Sequence, residues 1–193
     1  MFRPLGWLVL LLLLLPHLGH AQWAVTNWVS TRVDDHLVVE LPYVTEVELD
    51  KKEPGTRIFS TETESIVLVV GSVDLRYSPK YFPDGTVTVA SLNKYFNRIL
   101  RAQVKGLKHM QATLVSQANV VFAGSPARAV RFRFTDDVRD QPAYLDFIYL
   151  WRGDHIYMLA TSYRLPETAD TIADRKRFLK SVVFGDEQPT REF

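Results

Sequence analysis

Apolar and polar positions alternate through the last third of the chain. Between 120 and 134 the alternation settles late. Val130, Phe132 and Phe134 share one side there, and Arg131 and Arg133 the other. Over 143–151, Leu145, Phe147, Tyr149 and Trp151 share a face, Gly153 and Asp154 supply a turn, and 155–163 returns. Three adjacent runs of period two predict an antiparallel sheet with one face buried. A helix over 172–182 closes the unit after Pro166. Ile172, Phe178, Leu179 and Val182 form its apolar side, Thr168 is its candidate cap, and Asp170 lies in its first turn.

The earlier chain carries a different mixture. Residues 22–31, a turn at Asp34-Asp35, and 36–41 with Leu37, Val39 and Leu41 on one face predict a hairpin that Pro42 ends. Charges of both signs over 46–54, followed by Gly55, predict a solvated turn. Strands follow over 57–63, with Ile58 and Ser60 opposed to Phe59, and over 65–75. The unbroken run Ile66-Val67-Leu68-Val69-Val70 suits a central strand covered on both faces. Residues 76–89 form a proline-containing loop that holds Tyr77, Tyr81 and Phe82. A helix over 91–105 places Leu92, Tyr95, Phe96, Ile99, Leu100 and Val104 on one stripe, with Ser91 as its cap and Gly106 just past its end. Its other face, with Lys94, Asn97, Arg98 and Arg101, is basic. Residues 110–122 read as one strand or as two, 111–118 and 119–122. Gly124-Ser125-Pro126 is a turn and 136–141 a polar hairpin loop.

Composition sets the class. The chain has 193 residues, 47% hydrophobic and 23% charged, which describes one ordinary globular domain. Arg3, an apolar run from Trp7 to Leu15 and the small residues Gly19 and Ala21 predict a secretory signal peptide over 1–21. The run is shorter than the ~20 residues a spanning helix needs. The domain then covers 22–185, with a polar tail over 186–193. Removing 1–21 takes away Arg3 and no acid, leaving 22 basic and 22 acidic residues. A neutral exported protein has no overall pull on nucleic acid or anionic lipid. There is no cysteine, so neither disulfides nor lipid attachment through cysteine are available. The expected location is the bacterial periplasm or beyond it, in soluble form.

Gly124-Ser125-Pro126-Ala127-Arg128 opens a strand. His155-Ile156-Tyr157-Met158-Leu159 follows the Gly153 turn. The chain closes on Phe178-Leu179-Lys180-Ser181-Val182-Val183-Phe184. In these features and in element order, the chain resembles the PsbP/Mog1-like family, including exported bacterial proteins of the DcrB kind. The resemblance implies an α+β fold, an α/β/α sandwich whose central antiparallel sheet is covered by helices on both faces. It also implies an accessory or binding role, since the characterised relatives mostly act that way, and it offers no catalytic residues to carry over.

Candidate chemistry is sparse. A nucleophile–base relay needs serine or cysteine beside histidine and a carboxylate. The histidines after residue 21 are His36, His109 and His155, and no Gly-x-Ser-x-Gly turn is present. Asp34-Asp35-His36 and Asp154-His155 are the local metal candidates, but both sit at predicted turns, where aspartate bonds nearby backbone. Asp136, Asp137 and Asp140 lack the spacing and glycine of a calcium loop. Arg128, Arg131 and Arg133 interleave with Phe132 and Phe134 as a single-strand nucleic-acid platform would. Alternation puts the rings and the last two arginines on opposite faces. Arg152-Gly153-Asp154 is turn chemistry.

The expectation is a non-catalytic exported protein with no cofactor and no metal. It would contact an envelope protein through Tyr77, Tyr81 and Phe82 of the aromatic loop and through Trp23 and Trp28. The alternative is a small-molecule or lipid carrier with a pocket under the 77–85 loop.

Overall fold

The computed structural model describes residues 27–43, 45–49, 55–77 and 88–185. The predicted signal peptide, the 186–193 tail, Trp23, Tyr81 and Phe82 lie outside the described residues. Among the described residues, ten strands and two α-helices run in the order β1 (Trp28–Arg32), β2 (Leu37–Pro42), β3 (Glu46–Leu49), β4 (Thr56–Glu62), β5 (Ile66–Asp74), α1 (Val89–Gly106), β6 (Thr113–Phe122), β7 (Ser125–Asp136), β8 (Gln141–Arg152), β9 (His155–Arg164), α2 (Ala169–Lys180) and β10 (Val183–Phe184).

Seven strands form one antiparallel sheet in the order β3-β4-β5-β9-β8-β7-β6. β6 to β9 is a meander that comes back to pair with β5, so α1 carries the chain from β5 to the far edge. Along β5 the side chains divide between two cores. Val69 faces the first, and Ile66, Leu68 and Val70 face the second. This confirms the covered central strand read from the β-branched run. Ile58 and Phe59 likewise go to opposite faces.

The first core lies under α1. Leu92, Phe96, Ile99 and Leu100 pack on Val130, Phe132, Leu145, Phe147, Tyr149 and Met158. The second core lies under α2 and a small antiparallel sheet, β1-β2-β10. Leu37, Val39 and Leu41 of β2 and Phe178 of α2 meet Leu68, Val70, Leu150, Tyr157 and Leu159 there. Full burial of one such side chain contributes about 1.5–3 kcal/mol. The architecture is therefore the α+β sandwich implied by the resemblance, with the second face shared between a helix and strands.

Several local readings change. Thr88, not Ser91, caps α1. The Thr88 hydroxyl accepts from Ser91 N at 3.1 Å, and Thr88 N donates to Ser91 Oγ at 2.9 Å, a reciprocal capping box. Val104 is exposed and Gln103 takes the buried position instead. Gly106 stays right-handed, and the chain turns out of the helix only at Gln111, with φ of 52°. Residues 46–49, read as part of a solvated turn, form the edge strand β3. Of the 110–122 stretch, Thr113–Phe122 forms one strand, β6, with a register shift between Leu114 and Ser116, and Met110 ends a 3-10 turn. The closing helix ends at Lys180, capped at its start by Thr168 as predicted. The chain then adds β10 to β2.

Candidate functional site

Of the five predicted contact residues, Tyr77 and Trp28 are described. β5 ends in Asp74, and Arg76 locks the following turn. Asp74 accepts from Arg76 N at 2.9 Å, from Nε at 2.9 Å and from Nη2 at 2.6 Å. One residue on, Tyr77 is 60% exposed and lies over Gly55. Gly55 has φ of 92°, and a Cβ there would meet Tyr77 Cδ2 at 2.5 Å, so the approach of the ring requires glycine. Trp28 is half-buried against the second core, with the Arg177 guanidinium 4.9 Å from its ring centroid. No ring contact joins Tyr77 to Trp28 among the described residues, so these two do not form one cluster.

The two turns weighed as metal candidates do converge. Asp34 is buried and accepts from the backbone N of His36 and of Leu37, both at 2.8 Å. Its other oxygen accepts from the Ser72 hydroxyl. His155, also buried, stacks on Tyr157 at 5.7 Å, meets His36 edge-on at 5.2 Å, and holds Nε2 at 3.9 Å from Asp74. Burial pushes the His155 imidazole below its ordinary value, and Asp34 and Asp74 oppose that shift. Ser72 is bonded to a carboxylate and not to an imidazole, so the hydroxyl has no base of the relay kind. Among the described residues no three His, Cys, Asp or Glu side chains are placed to hold a metal. The cluster ties the N-terminal hairpin to the ends of β5 and β9. Sequence reading noted both turns but had no signal for their meeting across more than a hundred residues.

A second network lies on the β7–β9 face. Arg131 grips Asp146 with Nε and Nη2, each at 2.7 Å. Tyr163 donates to Asp146 Oδ2 at 2.9 Å, and Arg175 reaches Glu167 at 2.6 Å. Burial first, and then the Asp146 charge, push the Tyr163 hydroxyl well above the ordinary tyrosine range. Each charge here has its partner, so the network reads as a clasp between α2 and the sheet.

Several cationic groups between residues 88 and 135 are not arranged this way. Residues 88–135 contain eight Lys and Arg and no Asp or Glu, in a chain that is balanced overall. This stretch builds α1, β6 and most of β7. Among the described residues no ion pair involves Lys94, Arg101, Lys105, Lys108, Arg128 or Arg133. Arg128 is only 8% exposed. Its guanidinium donates to four amide oxygens: Asn119 at 2.6 Å, Gln117 at 3.2 Å, Asn93 at 3.2 Å and Asn97 at 3.3 Å. The first two come from β6 and the others from α1. A buried cation is ordinarily paired with an anion, and here, among the described residues, its bonds go only to neutral amides. The acid-free run was visible in the sequence. The amide cradle was not, because it needs the helix and the edge strand side by side.

No family model matches the chain, and no curated protein matches it. Among solved structures, the chain is similar to LpqN of Mycobacterium tuberculosis, involved in cell envelope biogenesis, at 9% identity and a TM-score of 0.44, over 84% of this chain and 93% of that one. It is similar to the Ran-binding protein Mog1p of Saccharomyces cerevisiae at 8% identity and a TM-score of 0.43, over 81% and 95%. It is also similar to PA94 of Pseudomonas aeruginosa, a protein of unknown function, at 12% identity and a TM-score of 0.37, over 78% and 89%. Among the described residues, no helix is long and apolar enough to cross a membrane.

Proposed function

We infer that this chain is an exported PsbP/Mog1-like protein of the bacterial cell envelope that binds a protein partner and catalyses no reaction. Export is supported by the signal-peptide pattern of 1–21. The family is supported by the element order and by the motifs at 124–128, 155–159 and 178–184. The observation that carries the binding role is the segregation of charge. A chain of 23 basic and 22 acidic residues gathers eight cations over 88–135, with Lys94, Arg98, Arg101 and Lys105 on α1 and Arg128 of β7 bonded to the same helix. Potentials of one sign on one face steer and orient a partner of the other sign. Tyr77, held exposed at the end of β5, remains the aromatic contact on the chain leading into α1. The non-catalytic reading is supported by the commitment of Asp34 to a turn and of Asp74 to Arg76.

A photo-crosslinking residue placed in turn at Val104, Tyr77 and Val138 tests the proposal in living cells. The expected result is one shared protein adduct from the first two positions and none from Val138. Equal labelling at all three, or none, counts against it.

A further inference from the structure

The two edges of the large sheet are built differently. β3 is four residues long and carries Glu46 and Glu48, the usual guard against strand addition. β6 is ten residues long, pairs among the described residues only with β7, and has no charged residue and no proline. Its bulge between Leu114 and Ser116 disturbs one end and leaves 116–122 in regular register with β7. The strand is exposed along most of its length, with Leu114, Val115 and Val121 among the exposed apolar side chains. α1 meets this strand through Arg128, which bonds Asn119 and Gln117 of β6 and Asn93 and Asn97 of α1.

We propose that β6 receives an extended, acidic segment of a partner protein as an eighth strand, with one of its carboxylates engaging Arg128. The inference rests on the binding role above and names its chemistry. An added strand is recognised by its backbone along the open edge. Its side chains alternate, so every second one faces α1, where Lys94, Arg101 and Lys105 stand without an acid in the surrounding sequence. Arg128 is positioned by four bonds to neutral amide oxygens, and a carboxylate offers its guanidinium the opposite charge that those amides lack. An open strand edge distinguishes a polypeptide from a lipid surface or a nucleic acid, neither of which presents amide N–H and C=O groups at strand spacing.

The test uses the full chain after signal removal and a ten-residue peptide of alternating threonine and glutamate. A lysine-for-glutamate peptide and a glutamate peptide N-methylated at alternate amides are the controls. Hydrogen exchange is expected to slow over 113–122 with the glutamate peptide and with neither control. R128Q is expected to weaken binding tenfold or more. Because R128Q also removes cradle contacts, the N-methylated peptide tests strand addition on the unaltered protein. The inference fails if the glutamate peptide does not bind, if protection falls elsewhere, if the N-methylated peptide binds as well, or if R128Q binds normally. It also fails if only anionic vesicles or a single-stranded oligonucleotide bind. If the Val104 adduct persists while the glutamate peptide leaves β6 unprotected, the binding role stands and strand addition is wrong.

Discussion

Gln103 of α1 donates its side-chain amide to the hydroxyl of Tyr149 on β8, with both side chains buried in the first core. The other amide atom, Gln103 Oε1, has no hydrogen-bond partner among the described residues. A polar pair in such a place is held together by the cost of leaving either member alone. Gln103→Met strands the tyrosine hydroxyl, and Tyr149→Phe strands the amide. Each is expected to cost about 1–3 kcal/mol in urea unfolding. The double variant is expected to cost well below the sum of the two, by about 1 kcal/mol or more. Additive losses would show that the two groups do not depend on each other.

His155 makes stability depend on pH. Burial lowers the folded imidazole below 6.5, Asp34 and Asp74 oppose this, and His36 and Arg76 reinforce it. The unfolded chain therefore takes up a proton here at a pH where the folded chain does not. Its contribution is complete above 6.5 and is lost as pH falls toward the lower folded value. Asp74 acts with the same sign further down. Burial raises its carboxyl, but the Arg76 hydrogen bonds outweigh burial and hold it below 3.8. Its contribution is present above 3.8 and is lost as pH falls through the depressed value. Urea midpoints measured between about pH 7 and pH 5 are expected to fall in the wild type, and to fall less in His155→Gln.

How far the sequence discloses this molecule depends on what each residue faces. β7, β8 and β9 are legible because apolar residues recur at every second position, as with Leu145, Phe147 and Tyr149, although the opposite face is buried too, at Leu150, Tyr157 and Leu159, and not open as the alternation predicts. α2 is legible because Thr168 and Phe178 mark its start and its buried side. β3 is not, since Val47 at the edge is exposed and its neighbours are glutamates, which leaves no period to read. β10 is two residues long and exists because β2 offers an edge to Val183 and Phe184. Gln103 looks like a surface residue until Tyr149 is placed opposite it. The same limit applies to the site. The basic helix face was readable, while the Arg128 cradle joins four amides from two elements that meet only in the fold.

Gly55 and Tyr77 form a second testable pair. Gly55→Ala forces a side chain into a positive-φ position and into the tyrosine ring. The backbone part costs about 1 kcal/mol, and displacement of an exposed ring adds a smaller amount. Thermal melts of Gly55→Ala with and without Tyr77→Ala separate the two parts. Only the ring part is expected to vanish in the double variant, and disappearance of the whole loss would contradict the assignment.

The central claim is that the acid-free face of α1 and β6 is where the partner docks. The direct measurement is the yield of the Val104 adduct when Lys94, Arg101 and Lys105 are all changed to glutamate. These side chains are exposed, so the melting temperature is expected to stay within a few degrees. The yield is expected to fall about tenfold or more, because like charges would now face the partner. An undiminished yield from the folded variant would contradict the account.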